Sequence, residues 1–225
     1  MQAISFAFEQ SGFASVPTVL APRTCEAISR RIRTASISGG SRNLLTKPWC
    51  AALVERLRQH VVLSALLPGG HVAIQCTYFE KSVSRNWAVP SHQDLSIPVA
   101  GRVEEAQLGG WSRKEGSDFV QPPAGLLEQL VAVRLHLEAC TPADGPLQVL
   151  PGSHRLGRLA DAETAALRRV TKAVICTAEA GEALAIRPLL VHASSKASGN
   201  SRRRLLHVVF GPREPGYGLQ WRHAV

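Results

Sequence analysis

The segment LVAVRLHLE, residues 130–138, alternates cleanly between two kinds of side chain. Its apolar positions are Val131, Val133, Leu135 and Leu137, and between and after them stand Ala132, Arg134, His136 and Glu138. Because successive side chains of a β-strand point to opposite faces, this period of two predicts a strand. We expect one face of that strand to be apolar and the other to carry polar, functional groups.

The pattern around this segment is that of helices followed by many short strands. Apolar residues at helical spacing predict helices over 22 to about 37, capped by Thr24, and over 48 to about 65. From His71 onward the segments are short, β-branched and separated by Gly and Pro. Strands are predicted at 72–79, 130–137, 147–150, 172–177, 183–186 and 205–210, with a short helix at 161–169. This order predicts an α+β protein with a mainly β body, a sandwich or a barrel.

Length and composition favour one ordered domain. The chain has 225 residues, 45% of them hydrophobic and 19% charged, which is enough to bury a core without disulfides. The five cysteines are scattered without a Cys-x-x-Cys pair, so they predict reduced thiols and a cytoplasmic location. No apolar run is long enough to span a bilayer, and the start lacks the basic region of a signal peptide.

The formal net charge of +9 raises the question of a nucleic-acid partner. The basic residues are spread along the chain, and aromatic residues make up only 5% of it. A specific nucleic-acid partner is therefore not expected, and the charge is better explained by a general attraction for anions.

The sequence His92-Gln93-Asp94 is the strongest local sign of chemistry. On an extended segment, positions two apart point the same way, so an imidazole and a carboxylate can reach one metal ion. A second histidine would complete the two-His, one-carboxylate site of non-haem Fe(II) oxygenases. The candidates are His136, His154, His192 and His207. His192 is favoured, since Arg203 follows it by eleven residues and could clamp a dicarboxylate.

With these residues in this order, the chain resembles the phytanoyl-CoA dioxygenase family of Fe(II)- and 2-oxoglutarate-dependent oxygenases. The resemblance also rests on FEQSGFASVPTVLAPRTCEAI near the start, GPLQVLPGSHRLG at 145–157 and GEALAIRPLLVHASSKASGNSRRRLLHVVFGP at 181–212. It implies a double-stranded β-helix, the cupin-like jelly-roll, with flanking N-terminal helices. The implied division of a single domain 1–225 is a helical flank at 1–70, a core at 71–212 and a tail at 213–225.

The resemblance also implies a set of site residues. His92, Asp94 and His192 would bind iron, and Arg203 would bind the distal carboxylate of 2-oxoglutarate, with Arg202 and Arg204 as alternatives. Ser194, Gln75 and Trp111 match positions on the cosubstrate side. The enzyme would use O₂ to convert 2-oxoglutarate to succinate and CO₂ while oxidising a substrate C–H bond. Because Asp94 is present, where related halogenases have a small residue, hydroxylation is favoured over halogenation.

The expected substrate is a small, acidic metabolite or natural-product intermediate. Arg134, His136, Lys114 and Trp87 are candidates to contact it, although a buried polar network, solvation or packing could account for the same residues. His207 is expected to pack in the core, although it shares the face of its strand with Leu205, and with Arg203 if the strand begins that early, and so could touch the cosubstrate pocket. The stretch 96–124, with four glycines, is expected to be a lid and specificity loop that is mobile without ligand and orders on binding.

Two other functions remain open from the sequence. One is a catalytically silent jelly-roll module that binds a metal or a ligand without turnover. The other, less favoured, is an oxygenase directed to nucleic acid. No membrane partner is expected, and the sequence leaves open whether the protein is a monomer or a homodimer.

Overall fold

The computed structural model describes residues 2–35, 37, 39–198 and 202–225. Its helices are α1 (Gln2–Ser11), α2 (Pro22–Thr34), α3 (Pro48–Gln59), α4 (Val61–Leu66), α5 (Ala124–Leu127) and α6 (Asp161–Val170). Its strands are β1 (Phe13–Val16), β2 (Val72–Lys81), β3 (Val89–His92), β4 (Ile97–Val99), β5 (Gly109–Lys114), β6 (Ser117–Gln121), β7 (Val131–His136), β8 (Leu147–Val149), β9 (Val174–Cys176), β10 (Ala183–Ile186), β11 (His192–Ser194) and β12 (Arg203–Gly211).

The strands form a large sheet, a smaller sheet and a three-stranded addition. The large sheet has the order β1-β10-β7-β12-β2 and the smaller one the order β3-β11-β8-β9, with antiparallel neighbours throughout. Sequence neighbours β2 and β3 lie in different sheets, as do β7 and β8 and then β11 and β12. This alternation between sheets is the winding of a jelly-roll, and it confirms the predicted double-stranded β-helix.

The large sheet has a different environment on each face. On β12, Leu206, Val208 and Phe210 pack into a core shared with the helices. The intervening Arg203, His207 and Val209 line a cavity between the sheets. The strand at 131–136 behaves likewise, and both strands are buried on both faces. The polar face predicted from its alternation therefore turns into the protein, where only paired or liganded polar groups are stable.

Three local predictions differ from the structure. The helix predicted to end near 37 ends at Thr34, and its N-cap is Ala21 rather than Thr24. Pro22 accounts for the early start, because its fixed φ and missing N–H suit the first helical position. The helix predicted over 48–65 is broken at His60, whose ring accepts the N–H of Leu63 and so caps α4. The apolar spacing did not predict α1, which the resemblance implied only as part of the N-terminal helices, and it did not predict β1, which joins the edge of the large sheet.

The stretch 96–124 is not the single long loop that the sequence predicted, and its role as a lid stays a prediction. This stretch holds β4, β5 and β6, which form their own sheet in the order β4-β6-β5. Val120 and Phe119 of β6 are buried, and Val120 belongs to the core between the sheets. Gly116, at the turn between β5 and β6, gave no sign of this, because glycine is common both in loops and in hairpin turns.

The C-terminal residues pair with the body of the protein. The backbone of Val225 exchanges hydrogen bonds of 2.8 and 3.1 Å with Ala73, and Trp221 pairs with Val99. The division of the chain into flank, core and tail stays a prediction. In the described residues, no helix is both long enough and apolar enough to cross a membrane.

Candidate functional site

Three side chains converge at one mouth of the jelly-roll. His92 ends β3 and His192 begins β11, and the two residues are direct partners in the antiparallel register. Asp94 follows two residues after His92, and its backbone N–H donates to the carbonyl of Pro188 at 2.9 Å. The Nε2 atoms of His92 and His192 each lie 3.7 Å from a carboxylate oxygen of Asp94. One ligand atom from each residue lies within 4.8 Å of the others, so the three could hold a metal ion.

Backbone carbonyls fix the orientation of both histidine rings. Nδ1 of His92 is 2.9 Å from the carbonyl of Pro90, and Nδ1 of His192 is 2.8 Å from that of Leu190. Because a carbonyl can only accept, each Nδ1 must carry the proton, and each Nε2 presents its lone pair to the shared centre. Two imidazole lone pairs and a carboxylate are the donors that non-haem Fe(II) takes, so the residues present fit that metal.

The charges at this centre also suit a cation. Burial alone would raise the pKa of Asp94, but the neighbouring His192 and His92 hold it well below its usual range. Burial lowers the pKa of His192 to about 4, and the charge of Asp94 only partly opposes this. Burial likewise acts to lower the pKa of His92, but its interaction with Asp94 outweighs burial and raises it. At neutral pH the centre therefore presents an ionised carboxylate and a neutral His192.

A cavity of about 390 Å³ opens beside these three residues, and Arg203 lies in its wall. The Arg203 side chain is buried and donates to the carbonyl of Gly145, while its Nε has no hydrogen-bond partner. No carboxylate pairs with it in the described part of the chain. A buried guanidinium with an unused donor is costly unless a ligand supplies an anion. The residues present therefore fit a dicarboxylate such as 2-oxoglutarate.

The neighbouring arginines have other environments. Arg204 points to the opposite face of β12, where it contacts Glu138 at 2.9 Å and Glu80 at 3.6 Å. Arg202 is exposed. Of the three consecutive arginines, only Arg203 faces the cavity.

Ser194 and Gln75 also line the cavity. The Ser194 hydroxyl accepts a hydrogen bond from Nζ of Lys81 at 3.2 Å, and this ammonium also donates to the carbonyl of Ser195 at 2.6 Å. Lys81 is the register partner of Arg203. Burial, helped by the charge of Arg203, lowers the pKa of Lys81 to about 8. These groups form a cationic corner that can receive a carboxylate.

Of the residues predicted to contact the substrate, Arg134, Lys114 and Trp87 line the cavity. Arg134 is buried, its guanidinium carbon lies 5.7 Å from the centre of the Phe79 ring, and no carboxylate pairs with it among the described residues. Burial lowers the pKa of Arg134, yet an arginine stays protonated at neutral pH. Lys114 lies 5.0 Å from the Phe119 ring centre.

Two of the predicted site residues lie outside the cavity lining. His136 is buried on β7 with an unpartnered Nδ1, and burial lowers its pKa to about 3. Trp111 lies on β5, packs against the core between the sheets and has the guanidinium of Arg102 at 5.5 Å.

The proline-glycine-serine-histidine segment at 151–154 supports the site from behind. The Ser153 hydroxyl accepts the N–H of Val191 at 2.8 Å, directly before His192. His154 contacts the carbonyl of Glu9 at 3.1 Å and so ties this loop to α1. Upstream, Gly145 has a φ of 62°, and a Cβ there would lie 2.4 Å from the carbonyl oxygen of Ser195. Glycine is thus required at position 145, whose backbone carbonyl accepts the hydrogen bond from Arg203.

Sequence reasoning missed or misplaced several residues of the site. His207, expected to pack in the core with the cosubstrate pocket as the alternative, lines the cavity, in agreement with its phase with Arg203 on one strand. Lys81 was missed because the predicted strand stopped two residues short of it. Gln93 is buried between the two motif residues, and its amide bonds Gly157, Leu189 and Leu159 at 2.7–2.9 Å. No local pattern pointed to that role.

With this geometry established, comparison with known proteins identifies the family. The family model described as phytanoyl-CoA dioxygenase (PhyH) matches residues 8–205. The chain belongs to this family. The match confirms the resemblance found in the sequence, and with it the prediction of an Fe(II)- and 2-oxoglutarate-dependent oxygenase. A comparison with curated proteins found no match.

Solved structures share the fold. SnoK, a non-haem α-ketoglutarate-dependent carbocyclase from nogalamycin biosynthesis, is 16% identical with a TM-score of 0.69, covering 95% of this chain and 85% of that one. AviO1 from Streptomyces viridochromogenes is 22% identical with a TM-score of 0.63, covering 93% and 94%. HygX from Streptomyces hygroscopicus, solved with nickel and 2-oxoglutarate bound, is 14% identical with a TM-score of 0.65, covering 94% and 87%.

The buried histidines predict how stability depends on pH. Burial lowers the pKa of His136 and His207 to about 3 and that of His192 to about 4. Because the unfolded chain protonates these groups near pH 6.5, their contribution to stability is full above that pH and is lost as the pH falls towards 4. We expect the free energy of unfolding of metal-free protein to drop by up to about 1.4 kcal/mol per pH unit for each group. Urea denaturation at pH 7, 6 and 5 measures this, and a flat profile would contradict it.

Proposed function

We propose that this protein oxidises a C–H bond of a small, acidic metabolite or natural-product intermediate, most simply by hydroxylation, with release of succinate and CO₂. One observation carries the proposal. The convergent His92, Asp94 and His192 share a cavity with a buried arginine, Arg203, that has an unused donor and no carboxylate partner among the described residues.

Each residue has a distinct role in this proposal. His92, Asp94 and His192 hold iron through two Nε2 atoms and a carboxylate oxygen. Arg203 and the Ser194 hydroxyl bind the distal carboxylate of 2-oxoglutarate, and Gln75 lies in the same cavity wall. Bound Fe(II), with O₂ and 2-oxoglutarate, supplies the oxidising power. The protein's contribution is to hold the reacting groups in register and to limit the access of water.

The charge balance of the cavity supports an acidic substrate. Its lining includes the cations Arg134, Arg203 and Lys114, whereas Asp94 is the one carboxylate in that lining. With iron and 2-oxoglutarate added, positive charge remains in excess. We assign Arg134 as the residue that receives a substrate carboxylate, with Lys114 and Trp87 nearer the entrance. His136 and Trp111, outside the lining, receive no direct role.

The test begins without a substrate. Anaerobic addition of Fe(II) and 2-oxoglutarate should give a visible charge-transfer absorbance band, and its absence would overturn the proposed site. Succinate formation is then measured with a panel of organic acids and acyl thioesters. A band without succinate from any substrate would favour the silent module. A mobility shift with DNA that survives moderate salt would favour the nucleic-acid-directed oxygenase.

Replacing Arg134 by methionine tests the substrate assignment. Loss of a charge-assisted contact worth roughly 1.5–3 kcal/mol should raise the KM for an acidic substrate about 10- to 150-fold. At saturating Fe(II), which offsets any effect of Arg134 on the metal site through its contact with His207, the amide or methyl ester of the same substrate should lose little, because it offers no carboxylate. Equal losses for the acid and its ester would contradict the assignment.

The β5–β6 hairpin is expected to respond to ligands. Lys114, Phe119 and Gln121 line the cavity, while residues 100–108 connect β4 to β5. We expect hydrogen exchange at 100–121 to slow when substrate and 2-oxoglutarate bind, and exchange in β7 to stay constant. Equal protection of 100–121 with and without ligands would contradict a lid function.

The proposed setting is the cytoplasm. All five cysteines are buried and free, which suits a reducing compartment. We propose a small-molecule substrate as the main partner, without specific nucleic acid or membrane, and a single domain over 1–225.

A further inference from the structure

A third histidine, His207, lies beside the proposed metal ligands. It belongs to β12, four residues after Arg203, and its side chain is buried in the cavity wall. Its Nε2 is 3.9 Å from Oδ2 of Asp94, close to the 3.7 Å of His92 and His192. By position alone it could be a further metal ligand, a partner of Asp94 or a packing residue.

The hydrogen bond on the far side of the His207 ring separates these roles. Nδ1 of His207 is 3.3 Å from Nη1 of Arg134, its register partner on β7. A guanidinium has only N–H donors, so Nδ1 must accept. The proton of the neutral ring is therefore on Nε2, and this N–H faces the carboxylate of Asp94.

His92 and His192 have the opposite arrangement. Their Nδ1 atoms donate to the carbonyls of Pro90 and Leu190, which leaves both Nε2 atoms unprotonated and free to coordinate. When the three rings around Asp94 are neutral, His207 is the only one in the described part of the chain whose Nε2 carries an N–H towards the carboxylate.

We propose that His207 is a positioning residue for the metal centre, held by Arg134 as the Nε2–H tautomer so that it donates to Asp94 and does not bind the metal. The 3.9 Å separation exceeds a hydrogen bond, and a shift of about 1 Å by the carboxylate closes it. Such a donor fixes which oxygen of Asp94 turns to the metal. Partners of this kind typically change metal affinity 10- to 100-fold. The inference concerns the metal site and does not depend on the substrate.

The tautomers can be read directly from the unaltered protein. Long-range ¹H–¹⁵N correlation spectra of ¹⁵N-histidine-labelled, metal-free protein, recorded at an alkaline pH where all three rings are neutral, should show His207 protonated at Nε2, and His92 and His192 at Nδ1. Adding Zn(II) should shift Nε2 of His92 and His192 strongly and leave the His207 Nε2–H in place. An Nδ1–H tautomer for His207, or loss of its Nε2–H when Zn(II) binds, would overturn the proposal.

A pair of variants then tests the effect on affinity, with Co(II) alone as the probe. His207→Gln keeps an acceptor for Arg134 and a donor for Asp94, whereas His207→Leu keeps neither. We expect the Co(II) dissociation constant to rise about 10- to 100-fold in His207→Leu and to stay within about threefold of the native value in His207→Gln. His71→Leu is the matched control, since His71 is also buried but contacts the carbonyl of Gln129 outside the cavity.

Other patterns would refute the inference. Equal losses of Co(II) affinity in His207→Gln and His207→Leu would indicate that His207 is a metal ligand. Native Co(II) affinity in both would indicate that its ring serves only to pack. Neither measurement uses turnover, so a failure to find a substrate would leave the result for His207 interpretable.

Discussion

Replacing His192 by alanine should abolish succinate formation and the charge-transfer band obtained with Fe(II) and 2-oxoglutarate. This residue is buried, and its Nδ1–H bond to Leu190 aims the Nε2 lone pair at the centre it shares with His92 and Asp94. Loss of a direct ligand should weaken metal binding by more than about 100-fold, because changes to outer partners alone reach that value. Calorimetric titration with Co(II) measures the binding, and a succinate assay measures the turnover.

A buried histidine elsewhere provides the control for this experiment. His71→Ala also removes a buried ring, but one whose Nε2 contacts the backbone carbonyl of Gln129 outside the cavity. Thermal unfolding of both variants shows whether either loses its fold. If folded His192→Ala retained native Co(II) affinity, the assignment of the metal centre to these three residues would be wrong.

Replacing Arg203 by methionine should raise the dissociation constant for 2-oxoglutarate about 10- to 150-fold, which corresponds to the loss of charge-assisted hydrogen bonds worth roughly 1.5–3 kcal/mol. The guanidinium lies in the cavity wall, is anchored to the carbonyl of Gly145 and keeps an unpartnered Nε. Titration of the charge-transfer band at fixed Fe(II) measures the constant. Metal affinity without 2-oxoglutarate should be unchanged, since Arg203 contacts none of the three ligands.

The adjacent arginines are matched controls for Arg203. Arg202→Met changes an exposed residue and should leave the dissociation constant for 2-oxoglutarate within about twofold of the native value. Arg204→Met removes the contacts with Glu138 and Glu80, so it should lower the melting temperature while leaving affinity for 2-oxoglutarate intact. If Arg203→Met kept the native dissociation constant for 2-oxoglutarate while Arg202→Met or Arg204→Met raised it, carboxylate binding would be reassigned to that neighbour.

The sequence predicted much of the fold because its signals were local. Alternation along 130–138 predicted β7, and the succession of short β-branched segments predicted the β body. The stretch 96–124 failed because glycines and polar residues are compatible with both loops and hairpins. The break at His60 was missed because the apolar spacing continues across it, and the cap that starts α4 is a side-chain contact of His60.

The order of the candidate ligands was also available from the sequence. His92 and Asp94 stand two apart on an extended segment, and that spacing alone places them on one side of the backbone. The spacing from His192 to Arg203, together with the family's motifs, indicated the distal residues. The sequence left Arg202, Arg203 and Arg204 as alternatives, because sequence alone does not show which face of the strand lines the cavity.

The sequence by itself thus indicated a mainly β body from its periodicity, and its motifs indicated the family, whose resemblance in turn implied the jelly-roll and the set of site residues. Only the tertiary structure decided how the groups are oriented. The pairing of His192 with His92 and of His207 with Arg134 joins residues about 70 to 100 positions apart. The proton position of His207 follows from its pairing with Arg134, because a ring nitrogen facing a guanidinium must accept. Those of His92 and His192 follow from the carbonyls of Pro90 and Leu190, two residues before each ring, to which a ring nitrogen must donate. In the proposed site, three histidines of identical chemistry thereby take two different roles around one carboxylate.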